Sequence, residues 1–102
     1  MPSYMAFCED GPNGSALREE HMAAHLSHVE TVLDQIQVAG PMREDDGAMV
    51  SSSCFIFKAD TLADAQALLA ADPYHVAGIY RSVRWFDFVP AAGVWVGGKS
   101  WT

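Results

Sequence analysis

The chain has 102 residues, half of them hydrophobic and 19% charged. That composition folds rather than stays disordered, and the length suits one domain. A net charge of −7, from 13 acids against 6 bases, repels phosphate backbones, so nucleic acid is not an expected partner.

The opening "MPSYMAFCEDG" lacks the basic flank and long apolar run of a signal peptide. No stretch approaches the roughly 20 apolar residues of a membrane span. The expectation is a cytoplasmic protein without a membrane partner. Two cysteines, Cys8 and Cys54, are too few for a disulfide framework and read as buried free thiols.

"SYMAFCE" (3–9) is short and apolar and closes in "DGPNG", a turn cluster, so it reads as a strand. From about Ser15 to Gln37 the spacing predicts a helix. Met22, Leu26, Val29, Leu33 and Ile36 recur at alternating intervals of four and three and form one apolar stripe. "VAGPM" (38–42) predicts a short strand ended by Pro41, and "SSSCFIFKA" (51–59) a strand by its Phe and Ile content. "TLADAQALLAAD" predicts a second helix, with Thr61 as N-cap and Asp64 three residues on. Proline at 73 ends it and pushes Asp72 out of helical geometry. "IYRSVRWFDFVP" (79–90) reads as a long strand, and the tail "AAGVWVGGKSWT" sets two tryptophans among glycines.

The order β-α-β-β-α-β predicts an α+β fold, a ferredoxin-like antiparallel sheet with both helices on one face. The last strand is apolar on both faces, with Ile79, Val83, Trp85 and Val89 on one and Tyr80, Phe86 and Phe88 on the other. Two helices cover one face only, and large exposed apolar patches are rare on monomers. A second copy, sheet against sheet, is the expected cover. A domain of this size also hides only about two thirds of its unfolded surface, so it gains from a partner. The expectation is a homodimer or a higher assembly of it.

"GVWVGGKS" (93–100) matches the phosphate-cradling loop pattern, but only Trp101 and Thr102 follow. That chemistry needs a helix N-terminus after the loop, so the match is read as coincidence. His21, His25 and His28 lie at i, i+4 and i+7 in "HMAAHLSH". They share a side of a helix, yet the acid of the HExxH zinc pattern is absent. No metal site and no cofactor are expected, although one of these imidazoles suits acid–base work near neutral pH. Asp72 stands at the end of a helix, where an acid opposes the helix dipole. Burial there calls for a compensating group, and a protonated histidine would serve.

"AHLSHVE", "AGPM" and "DPYHVAGIYRSV" together resemble the YciI-like (YCII-related) family over about residues 3–89. The resemblance covers a YciI-like ferredoxin-fold domain (1–90); the C-terminal tail (91–102) lies outside it, and its tryptophans are expected to pack on a partner subunit. It implies a ferredoxin-like unit that pairs into a dimeric α/β barrel, similar to muconolactone isomerases. It also implies a His–Asp site; at least one branch removes chloride from a chlorinated hydroxyquinol. Carried onto this sequence, the site residues are His25 and Asp72, with Tyr74 beside them. Met22 stands where the family often has an arginine, and Arg18, about one turn earlier, is the candidate substitute for holding an anion.

The expected function is therefore a small-molecule enzyme of lyase or isomerase type. His25 acts as general base or acid and Asp72 orients it. Tyr74, Phe55, Phe57 and Trp85 line an apolar pocket for a small ring compound. The alternatives are a non-catalytic binding or assembly module on the same barrel and, third, a metal site on the histidine stripe.

Overall fold

The computed structural model describes residues 1–101. The main sheet runs β1 (Ser3–Asp10), β2 (Ile36–Met42), β3 (Ser52–Lys58) and β4 (Tyr80–Phe88) in the spatial order β2-β3-β1-β4, all antiparallel. Three helices intervene, α1 (Gly14–Thr31), α2 (Leu62–Ala70) and α3 (Pro73–Val76). This is the ferredoxin-like arrangement, with one helix missing from the expected list. Among the described residues no helix is long and apolar enough to cross a membrane.

The register decides what each face carries, because side chains alternate across a strand. Ala6 sits between Phe55 and Trp85, and Cys8 between Ser53 and Val83. These residues face the helices. Ala6, Cys8, Phe55, Phe57, Ala65 and Leu69 are buried together as the core. A register shift at Glu9/Asp10 pairs Asp10 with Tyr80, so Tyr80 packs on the core beside Val83 and Trp85. The simple alternation had placed Tyr80 on the other face; the bulge inserts one residue and reverses it.

Cys8 and Cys54 are both free, Cys8 buried and Cys54 half-buried. Burial pushes the Cys8 thiol up to about 12 and raises that of Cys54. Neither is a thiolate at neutral pH, which removes both as nucleophiles.

Helix α1 stops earlier than its apolar stripe suggested. It ends at Thr31, a 3₁₀ turn spans Leu33–Gln35, and Ile36 pairs with Phe57 in the sheet. The stripe itself is thinly covered: Met22, Leu26 and Leu33 are 50%, 52% and 59% exposed. Only Gly14 and Arg18 of this helix are buried, so α1 stands off the sheet rather than packing flat on it. Pro41 lies within β2 and does not end it; β2 is an edge strand, where a missing donor is tolerated.

The junction after α2 holds the extra helix. Thr61 caps α2 as its spacing predicted, accepting from the Asp64 N–H at 3.1 Å. Asp72 then caps α3, with Pro73 at the first helical position. Gly78 has φ +81°, a left-handed conformation that suits glycine. Its N–H bonds the His75 carbonyl, and the Ile79 N–H bonds that of Tyr74. These two bonds close a Schellman motif, and fully buried Ile79 anchors it.

The tail forms a small hairpin, β5 (Ala92–Gly93) with β6 (Gly98–Lys99). Gly98 and Lys99 are thus strand residues and open no helix. The hairpin returns against Val38, Ile56 and Phe88 on the sheet face away from the helices, enclosing a cavity of about 270 Å³. Trp95 and Trp101 are 83% and 55% exposed.

Candidate active site

Because α1 stands off, a cavity of about 340 Å³ remains between it, the β2–β3 half of the sheet, and the α2–α3 junction. Phe55, Phe57, Ile36 and Leu68 give it apolar walls, and Met22 and Leu26 belong to its α1 side.

Asp72 is 3% exposed and lies at the cavity wall. Its backbone is extended (φ −68°, ψ 128°), as a residue before proline prefers. As N-cap of α3, its Oδ1 accepts the Tyr74 N–H at 2.9 Å. The same oxygen lies 2.8 Å from His25 Nδ1, bringing together segments 47 residues apart. Asp72 thus follows the end of α2, as the sequence suggested, its N–H bonding the Leu69 carbonyl. What the sequence did not suggest is that it also caps the start of α3, where a carboxylate is favourable.

A carboxylate only accepts, so Nδ1 of His25 carries the proton in this pair. In the neutral form of the ring, Nε2 is then the acceptor, the nitrogen that can take a proton from a ligand. His25 is largely covered, its side chain 15% exposed. Its ring stacks on Tyr74, centroids 3.8 Å apart and planes 3° from parallel. Bond and stack together fix the ring's orientation.

Tyr74 is held in turn. Its hydroxyl donates to the Arg18 carbonyl at 3.1 Å, and the Arg18 guanidinium lies 5.4 Å from its ring centroid. Burial, helped by the charges of Asp72 and Asp10 and opposed by Arg18, raises the Tyr74 phenol. It therefore stays a neutral donor at physiological pH.

Arg18 lines the cavity, but its charge is already engaged. Nε and Nη2 make two 2.8 Å bonds to the Asp10 carboxylate, and Nη2 also reaches the Ser53 hydroxyl at 2.8 Å. Burial works against the guanidinium's charge, but the bonds and charge of Asp10 outweigh it and raise its pKa. Asp10 approaches so closely that a Cβ on Gly14 would meet its Oδ2 at 2.5 Å, which explains glycine at the start of α1. Arg18, the residue expected to hold an anion, thus stands in the cavity wall behind Tyr74 with its Nε and Nη2 engaged by Asp10 and Ser53.

Phe55 and Phe57 line the cavity as expected, but Trp85 does not. Trp85 stacks near Phe57, centroids 6.1 Å apart, on the β4 side of the sheet, where the core fills the space. His28 lines the cavity although its spacing suggested only a shared stripe; His21 is absent from the lining and lies 3.6 Å from Glu20. Among the described residues no three His, Cys, Asp or Glu side chains gather to hold a metal.

The model of the YCII-related domain family matches residues 3–89. The chain belongs to that family. Among solved structures, this YCII-related chain is similar to 5-chloro-2-hydroxyhydroquinone dehydrochlorinase (TftG) from Burkholderia phenoliruptrix, in complex with 2,5-dihydroxybenzoquinone. The TM-score is 0.74 at 24% identity, covering 90% of this chain and 96% of that one. It is also similar to an uncharacterized NIPSNAP domain protein from Burkholderia xenovorans, with TM-score 0.53, 16% identity and the same two coverages, 90% and 96%. These likenesses establish the fold. No curated protein matches the YCII-related chain.

Proposed function

We propose that this YCII-related protein is a small-molecule enzyme of the lyase or isomerase type. His25 is its general base and Asp72 the residue that orients it. The observation that carries this reading is the part-buried 2.8 Å His25–Asp72 contact at the wall of an apolar cavity. A site with one oriented base among Phe55, Phe57 and Tyr74 suits a small ring compound with an acidic C–H or O–H. The structural neighbour named as a dehydrochlorinase, with a quinone bound, supports the same class.

In a dehydrohalogenation, His25 Nε2 takes the substrate proton. The electron pair left behind forms the new double bond, and halide departs with its own bonding pair. Asp72 stabilises the imidazolium and keeps Nδ1 protonated. No oxidant is needed. In an isomerisation the same proton returns at a second carbon.

The test uses 5-chloro-2-hydroxyhydroquinone as probe substrate and follows chloride release. His25→Ala is expected to lower turnover by about 10²–10⁴, the range for a positioned acid–base group. Unchanged turnover in that variant overturns the assignment. A wild type that binds 2,5-dihydroxybenzoquinone yet turns nothing over would instead make the chain a binding module.

The assembly proposed for this enzyme is a homodimer through the sheet face away from the helices. That face carries Met5, Phe7, Ile56, Phe86 and Phe88 in register across three strands. Phe86 and Phe88 are 41% and 37% exposed, and the tail covers only the end near Phe88 and Ile56. A self-complementary two-fold contact covers such a patch most simply. Sedimentation at micromolar concentration should give twice the 11.1 kDa chain mass; a monomer there contradicts the dimer.

A further inference from the structure

The polar residues that line the main cavity are Arg18, His25, His28, Ser53, Asp72 and Tyr74. Five of them are committed to one another or to Asp10. Arg18 is held by Asp10 and bonds Ser53, Asp72 bonds His25, and the Tyr74 hydroxyl bonds the Arg18 carbonyl. Among the described residues, the His28 imidazole is the remaining one, with no side-chain hydrogen bond or ion pair. It is neither buried nor fully exposed. His25 Nε2 and the ring of His28 are therefore polar points that the α1 wall of the cavity offers a ligand.

Their placement is complementary. His28 follows His25 by three residues on α1, so their Cβ atoms are about 5–6 Å apart on one side of the helix. Two imidazoles so spaced can reach different atoms of one small ring. Asp72 locks His25 as an acceptor toward the cavity. His28 has no such lock, and an imidazole has an N–H to donate in either charge state.

We propose that His28 is a second catalytic residue, which donates a hydrogen bond to the substrate oxygen that becomes negative as His25 removes the proton. This rests on the reading of the cavity as a proton-transfer site. The step balances. A C–H bond beside a carbonyl breaks and its proton goes to His25 Nε2. Its electron pair forms a C=C bond, and the carbonyl π pair moves to oxygen. The His28 N–H stabilises that oxyanion, as a donor aimed at developing charge does. The C=O bond then re-forms as halide leaves with its bonding pair, or as a proton is returned to another carbon. The substrate class that follows is a ring compound with oxygen on the ring and an acidic hydrogen nearby.

The experiment is calorimetric titration of the full chain with 2,5-dihydroxybenzoquinone, whose ionised oxygens stand in for the oxyanion, together with imidazole NMR. In the wild type the ligand is expected to bind and to shift the His28 ring resonances. His28→Ala is expected to weaken binding by about 10- to 100-fold, the loss of a hydrogen bond to a charged group. His28→Gln keeps an N–H and is expected to restore affinity to within about threefold of wild type. The His25 ring resonances of both unliganded variants should match wild type, which shows an intact His25–Asp72 pair. If the wild type binds while His28→Ala binds equally and the His28 resonances stay still, His28 is a wall residue and this proposal falls, leaving His25 and Asp72 untouched. If the wild type does not bind the quinone, the reading of the cavity falls and His28 with it.

Discussion

Asp72→Ala is expected to slow turnover of the probe substrate by about 10²–10⁴ and to destabilise the fold by about 1–3 kcal/mol. Two losses combine because one oxygen serves two donors. The Tyr74 N–H loses its cap, and His25 loses the acceptor that holds Nδ1–H. Asp72→Asn separates them. Its amide oxygen still accepts from either N–H, so stability should return to within about 1 kcal/mol of wild type. The negative charge that steadies the imidazolium is gone, so turnover should stay low. Chloride release and urea midpoints on the three proteins check this. An Asp72→Asn variant with full turnover would reduce Asp72 to a capping residue.

Arg18→Met is expected to have the largest effect on stability, about 3–5 kcal/mol. The Arg18 and Asp10 side chains are 11% and 7% exposed, and removing the arginine strands the Asp10 charge in a place with little water. Such a loss is a large share of the roughly 5–15 kcal/mol that holds a domain together. The double replacement Arg18→Met with Asp10→Leu removes both charges and should recover part of the loss, since an apolar pair of similar volume often substitutes for a buried ion pair. Equal destabilisation in the single and double variants would locate the effect in lost packing rather than in the stranded carboxylate. Equilibrium urea unfolding measures both.

The sequence singled out two distant segments that the fold does bring together, though for partly wrong reasons. "ADPYHVAGIY" contains an N-cap acid, a proline at the first helical position and a glycine past the end. Those are the marks of a complete helix, but one turn is too short for apolar periodicity to register, so the segment looked like a stop between helix and strand. The overrun of α1 has a similar origin. Leu33 and Ile36 fit a helical spacing, while Ile36 answers to its sheet partner Phe57, and cross-strand pairing is invisible in a local window. Trp85 lies outside the cavity lining; which half of the sheet a helix leaves uncovered is a tertiary matter. The Arg18–Asp10 pair crosses a turn with no pattern of its own. His28 did have a signal, the i, i+3 step from His25, but spacing alone does not say which imidazole finds a partner.

The rims of the sheet bear on how copies of this chain can meet. Pro41 takes a donor away from β2, and β4 carries Arg81, Arg84 and Asp87 along the opposite rim. Neither border invites a neighbour to extend the ladder strand by strand. Growth into ribbons is discouraged at both sides, so stacking of broad surfaces is the association that these borders leave open.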